Sequence, residues 1–235
     1  MEQNSARVFS EHWSIYQKII LHNYMNHEEF ACKVFDLFTK LPEKNLHILD
    51  IGCGDAATLL PVLQQFPVSS YTGYDLSSPP LQLAAAHLMH HNFSPVLKQG
   101  NMMALIQEEE KQFDIIHSSF AIHHLQDNEK EKLLQACFCR LYPGGKMIYT
   151  DVFRQQHISR DQYIEEYFSY IKNEWLLLAT YEKELVSEHV RQYDFPSRLE
   201  ETIGWSELAG FSVLARYRPD HLHAMLVLTK PKRDE

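Results

Sequence analysis

From residue 46 onward, short apolar stretches alternate with segments of helical period. The apolar pattern predicts strands at 46–51 (LHILDI), 70–75 (SYTGYD), 95–99 (PVLKQ), 113–118 (FDIIHS) and 145–151 (GKMIYTD). Helical segments fall between them at 56–65, 79–92 and 128–141. Strands alternating with helices imply βαβ units and a parallel sheet. Right-handed crossovers then put helices on both faces, a doubly wound α/β arrangement.

The flanks follow other rules. In SEHWSIYQKIILHNYM, the residues Trp13, Tyr16, Ile19, Ile20 and Tyr24 recur at helical spacing, and a second helix covers EEFACKVFDLFTKL up to Pro42. After Asp151 the alternation stops. Residues 158–192 read as helical and aromatic-rich, with Tyr163, Tyr167, Phe168, Tyr170, Trp175 and Tyr181. DFPS (194–197) breaks the chain and offers Ser197 as the N-cap of a helix running to Leu208. The end reads as two strands around Pro219-Asp220, close enough in sequence to pair antiparallel. The expected organisation is an N-terminal helical lid (1–45), a cofactor-binding core (46–151), a helical cap insertion (152–197) and a helix with β-hairpin completing the core sheet (198–235).

Composition narrows the class. With 235 residues and 45% hydrophobic content the chain can bury one full core. The net charge of −9 argues against a nucleic-acid partner. Cys32, Cys53, Cys137 and Cys139 have no C-x-x-C or framework spacing, so they read as thiols of a reducing compartment. The first residues lack the apolar stretch of a signal peptide, and no apolar run approaches ~20 residues. A cytoplasmic protein without a membrane span is expected, as a monomer or homodimer.

The chemistry concentrates at LHILDIGCGDAAT (46–58). Gly52-x-Gly54-x-x-Ala57 satisfies the Gly/Ala form of a dinucleotide fingerprint, with Ala57 expected at a close helix–strand contact. In an open parallel sheet the ligand lies at the carboxyl ends of the strands. Gly52 and Gly54 let the backbone approach that ligand, and Asp75, about 20 residues on, suits ribose hydroxyls. Asp50 separates the candidates. A pyrophosphate would be opposed by this carboxylate, whereas a ligand carrying an ammonium and a sulfonium would be favoured. S-adenosylmethionine is such a ligand. The alternative for Asp50 is a residue that only hydrogen-bonds turn amides.

The motifs ILDIGCGDA (48–56), YTGYD (71–75), QGNM (99–102), FDIIHSSFAIHHL (113–125) and LYPGGKMIYTD (141–151) resemble, in this order and spacing, the class I S-adenosylmethionine-dependent methyltransferases. The resemblance implies a mostly parallel, seven-stranded Rossmann-like sheet with an antiparallel last strand and a helical lid. It also implies that Asp50, Gly52 and Gly54 contact the methionine moiety, Asp75 the ribose, and Leu76 the adenine. Asn101 stands where the family commonly has an Asp for the adenine amino group, and Met102 beside it is a backbone donor or adenine wall. Ser118, Ser119 and Phe120 are expected near the sulfonium, and Tyr16 toward the cofactor carboxylate.

Among fourteen histidines, neither His87/His90/His91 nor His221/His223 carries a complete ligand set, so no metal is expected. His123 and His124 follow the fourth strand at the crevice mouth, where a histidine can take a proton from the acceptor; otherwise they support the loop and the following helix. Asp151 is a comparable candidate for holding substrate. His189, Arg191 and Tyr193 offer polar heads on the cap. Methyl transfer to an O, N, S or C atom of a small molecule is the reading these residues favour. A nicotinamide-dependent oxidoreductase and a catalytically inactive methyltransferase-like binding subunit are its alternatives.

Overall fold

The computed structural model describes residues 13–232. One seven-stranded sheet carries the chain, built from β1 (Leu46–Ile51), β2 (Val68–Asp75), β3 (Val96–Gln99), β4 (Phe113–Ser119), β5 (Leu141–Val152), β6 (Ser212–Tyr217) and β7 (His223–Thr229). Their order is β3-β2-β1-β4-β5-β7-β6. All neighbours pair in parallel except β7, which runs antiparallel to both β5 and β6. The strand order reverses between β1 and β4, which opens the crevice above their carboxyl ends.

Helices cover both faces. The first, α1, is described over residues 13–21; the predicted start of that helix lies outside the described residues. It is followed by α2 (His27–Phe38), α3 (Leu60–Gln65), α4 (Ser78–Leu88), α5 (Met102–Glu108), α6 (Asp127–Arg140), α7 (Arg160–Glu174), α8 (Thr180–Tyr193) and α9 (Leu199–Leu208). Ile48, Tyr71 and Ile148 point to one core layer, packed by Phe30, Val34, Phe38, Tyr163, Tyr167 and Trp175. Leu49, Ile51, Tyr74 and Met147 point to the other, packed by Leu133, Leu134, Cys137 and Ile203. Alternation along each strand thus divides one apolar run between two layers.

Several elements differ from their sequence expectation. The turn over residues 52–59 delays α3 to Leu60, because Ala56 takes a left-handed φ of 63° and cannot continue a helix. The close contact expected of Ala57 belongs to Ala56, which is fully buried while Ala57 is exposed. The helical stretch over 158–192 is two helices, with the chain between them turning at Trp175. Ser197 does not cap α9; that position is Arg198. The Ser197 hydroxyl instead donates to Asp127 at 2.6 Å and accepts from the buried Lys130 amine at 2.6 Å. Lys130 also donates to the Phe195 carbonyl, so one ammonium pins the segment after α8. Finally, α5 had no counterpart in the apolar pattern; Asn101 caps it by accepting from the Met103 amide at 2.7 Å.

Candidate active site

The glycine turn leaves β1 at Ile51 and folds back over β2. The amides of Gly52 and Cys53 both donate to the Tyr74 carbonyl, at 2.8 and 2.9 Å. Asp75 completes the turn, accepting from the Gly54 amide at 2.9 Å and from the Ser77 amide at 2.8 Å. Burial pushes the Asp75 carboxyl upward, against those two amides, which stabilise its charged form. Gly52 and Gly54 both sit at left-handed φ, 70° and 53°. Their open sides face protein. A Cβ on Gly52 would lie 2.2 Å from the Ala121 Cβ, and one on Gly54 would lie 3.1 Å from the Trp13 ring. These glycines therefore serve the packing of the loop after β4 and of α1 against the turn.

Asp50 does not bond turn amides. One carboxylate oxygen lies 2.8 Å from His117 Nδ1 on β4, and the other accepts from the Tyr71 hydroxyl on β2 at 2.8 Å. All three side chains are buried. A carboxylate flanked by a phenol and an imidazole retains lone pairs for a further donor. Cys53, beside it, is no nucleophile: burial, with Asp50 and Asp75 close by, pushes its thiol well up.

Around this turn, four side chains have buried polar atoms with no hydrogen-bond partner among the described residues: Trp13 Nε1, both ring nitrogens of His27, His117 Nε2 and the Thr150 hydroxyl. Orphaned buried donors and acceptors are costly unless a ligand serves them. Trp13 lies on Gly54, and His117 is bonded to Asp50. Thr150 is opposite Ser119 across β4–β5. This set, with two carboxylates at the strand ends, fits a ligand bearing an ammonium, a carboxylate and ribose hydroxyls.

The remaining expected residues divide. Leu76 is half-buried beside the turn, its carbonyl accepting from Gln99 at 3.3 Å. Asn101 and Met102 stand at the start of α5, where the Asn101 oxygen is engaged as a cap and Met102 packs on the second core layer. Ser118 is fully buried and donates its hydroxyl to the Ile51 carbonyl at 2.9 Å, so it ties β4 to β1. Ser119 is half-buried at the tip of β4. Phe120 follows it at a left-handed φ of 52°, with its ring 4.9 Å from that of His27.

Tyr16 joins the turn to a second space. Its ring is 5.4 Å from that of Trp13, and burial first, then Asp55, Asp151 and Asp75, push its phenol upward. It also lines a cavity of about 90 Å³, walled by Ile15, Phe120, Tyr167, Trp175 and Val190, with His123, His124, His189 and Asp194 at the polar end. His123 is locked from behind. Asp151 accepts from its backbone amide at 3.0 Å and lies 2.5 Å from its Nδ1. Burial works against a charged His123, but Asp151 and Asp194 outweigh it and hold the imidazole above its usual pKa. Burial likewise opposes the Asp194 charge, yet His123, His124 and His189 pull that carboxyl down to about 2. Of the cap residues singled out in the sequence, His189 reaches the cavity and Tyr193 stands beside it, the two rings 5.1 Å apart. Arg191 is exposed, over the Phe168 ring. Asp194, Trp13, His27 and His117 had no sequence signal beyond their residue type.

A doubly wound sheet with strand order 3-2-1-4-5-7-6, a reversed seventh strand and an acid before the glycine turn defines the Rossmann-like methyltransferase architecture. Residues 48–145 match the family model described as a methyltransferase domain. A ubiquinone biosynthesis O-methyltransferase of Pseudomonas fluorescens is 24% identical over 166 residues, 71% of this chain and 64% of that protein. A phosphoethanolamine N-methyltransferase of Plasmodium falciparum is 26% identical over 140 residues, 60% of this chain and 50% of that protein. The chain thus spans less than two thirds of the length of these relatives. Among solved structures, the magnesium protoporphyrin IX methyltransferase of Synechocystis PCC 6803 with bound SAH superposes with a TM-score of 0.68 at 12% identity, covering 98% of this chain and all of that one (100%). A cyclopropane synthase of Mycobacterium tuberculosis gives 0.63 at 14% identity, covering 85% and 83%. Residues 48–145 thus form a methyltransferase domain, and S-adenosylmethionine is the cofactor that the domain implies. Among the described residues no helix is long and apolar enough to cross a membrane.

Proposed function

We propose that the protein transfers a methyl group from S-adenosylmethionine to a small molecule held in the aromatic cavity under α1, α7 and α8. The observation that carries this reading is the continuity of the glycine turn with that cavity through Tyr16 and Phe120. When bound, the cofactor supplies a methyl group already activated on a sulfonium. The protein's part is binding, alignment and exclusion of water. Asp50 and Asp75 hold the ammonium and ribose ends, and Trp13 offers its indole N–H to the carboxylate. Tyr167, Trp175 and Phe120 wall the acceptor's apolar body. His123 and His124, with Asp151 behind them, hold the acceptor's polar group at the reacting end. The helices of the N-terminal segment and of residues 152–197 act as the lid, since both line the same cavity.

The net charge of −9 supports a small molecule over nucleic acid as the acceptor, and the free cysteines support a reducing, cytoplasmic setting. The test is incubation of the full chain with methyl-labelled S-adenosylmethionine and a metabolite extract. Label in the low-mass fraction is expected. Label confined to protein or RNA, or no transfer at all, would overturn the proposal and favour a macromolecular acceptor or a binding subunit.

A further inference from the structure

At the polar end of the cavity, three histidine side chains converge on one carboxylate oxygen. His123 Nε2 lies 3.5 Å from Asp194 Oδ1, His124 Nδ1 lies 3.4 Å from it, and His189 Nε2 lies 4.0 Å from it. One ligating atom from each of His123, His124 and Asp194 falls within 4.8 Å of the others. Asp194 is buried, and its Oδ1 has no hydrogen-bond partner among the described residues. A charged oxygen buried without a hydrogen bond demands compensation.

The separations say what kind. Hydrogen bonds from imidazole to carboxylate close to about 2.7–2.9 Å, and 3.4–4.0 Å is too long for them. Atoms bound to one tetrahedral ion at about 2.0–2.1 Å stand roughly 3.3 Å apart along each edge. The 3.4 and 3.5 Å edges to Asp194 Oδ1 are those of a coordination shell, and the edge between the two imidazoles, within 4.8 Å, closes when an ion binds. Behind it, Asp151 Oδ1 is 2.5 Å from His123 Nδ1 and also accepts from the Val152 amide at 2.9 Å. A carboxylate fixing the far nitrogen of a histidine is the usual support of a metal-bound imidazole, leaving Nε2 to ligate. His124 Nδ1 would exchange its 3.2 Å contact with the Tyr193 carbonyl for the ion.

We propose that His123, His124 and Asp194 form a binding site for a divalent transition-metal ion of the zinc class, with His189 as the nearest further ligand. Two imidazoles and one carboxylate leave a coordination position open, as in catalytic rather than structural sites. All four residues line the cavity, so the open position faces the acceptor. The ion would then be what holds the acceptor's oxygen or nitrogen, a role that rests on the methyltransferase reading; the site itself does not. It departs from the sequence expectation of no metal, because the ligands come from the β4–α6 connection, α8 and the segment after it. The clusters considered in the sequence stand elsewhere: His87 contacts the Asp55 carbonyl at 2.8 Å, and His223 pairs with Asp220 at 2.8 Å.

The test is titration of the chelator-treated full chain with Co²⁺ and with Zn²⁺ alone, by calorimetry and visible absorption. One ion per chain with tetrahedral-type cobalt bands is expected. Asp151→Asn should weaken binding about 10–100-fold by releasing the His123 tautomer, and Asp194→Asn by at least as much. X-ray absorption on the loaded wild-type chain should show histidine nitrogen and oxygen in the shell, which keeps the test decisive if a variant fails to fold. No saturable binding, unchanged affinity in folded Asp194→Asn, or sulfur from exposed Cys32 or Cys139 in the shell would overturn the site. Binding of S-adenosylhomocysteine by the metal-free chain is read in parallel, so loss of one result leaves the other interpretable.

Discussion

Gly52→Ala isolates what the glycine turn does for the fold. At φ 70° an L-residue is in the left-handed region, where a side chain costs roughly 1–2 kcal/mol. The new Cβ would stand 2.2 Å from the Ala121 Cβ. Relieving such overlap in a packed site typically costs about 1–3 kcal/mol. The sum is about 2–5 kcal/mol, and at roughly 2–4 °C per kcal/mol for a chain of this size the melting temperature falls by at least ~4 °C. The two contributions separate in a double-mutant cycle. Ala121→Gly in the same chain removes the colliding atom but leaves the backbone strain. It should therefore restore about 1–3 kcal/mol as coupling energy, with the remaining 1–2 kcal/mol unrecovered. Urea unfolding of the four proteins measures this directly. A Gly52→Ala cost under ~0.5 kcal/mol, or a coupling of zero, would refute the claim that this glycine is set by loop packing.

Asp75→Asn trades one of two amide-accepting oxygens for an NH2 group, and calorimetry should show affinity for S-adenosylhomocysteine at least about tenfold weaker. Lys130→Met leaves the Phe195 carbonyl and Ser197 hydroxyl without their ammonium and should cost about 2–3 kcal/mol in urea unfolding, with faster amide exchange across 194–198. His27 is held neutral by burial first and His223 second, its pKa lowered to about 3. The unfolded chain binds this proton below about pH 6.5 while the folded chain does not, so stability is full above that pH and falls as pH drops toward 3. The loss reaches roughly 3 kcal/mol by pH 4, and His27→Phe should flatten the acid limb of the stability curve by about that amount.

Much of this architecture is legible in the sequence, because strands buried on both faces read as apolar runs bounded by turns. β1 is recovered to the residue, and β4 to within one. The missed α5 is seven residues long, too short for a helical period to register, although its Asn101 cap was a usable signal. The break at Trp175 carries no glycine or proline, so the sequence of 158–192 reads as continuous; the turn there is imposed by packing, with Trp175 stacked on Tyr24 at 5.1 Å. For the site, Asp50, Gly52, Gly54 and Asp75 stand out because strand ends and turns restrict residue type. Asp194 and His189 do not: an acid before Phe-Pro and a histidine on an amphipathic helix carry no mark of what tertiary packing brings beside them. Ser118 is likewise placed by its motif at the end of β4, but the sequence carries no mark of the bond its hydroxyl makes to the Ile51 carbonyl.

The central claim is that the glycine turn with Asp50 and Asp75 holds S-adenosylmethionine. Calorimetric titration of the full chain with S-adenosylhomocysteine and, separately, with NADH tests it most directly. Saturable one-to-one binding of S-adenosylhomocysteine, weakened by Asp75→Asn and with no heat from NADH, is predicted. Saturable binding of NADH with S-adenosylhomocysteine silent would contradict it.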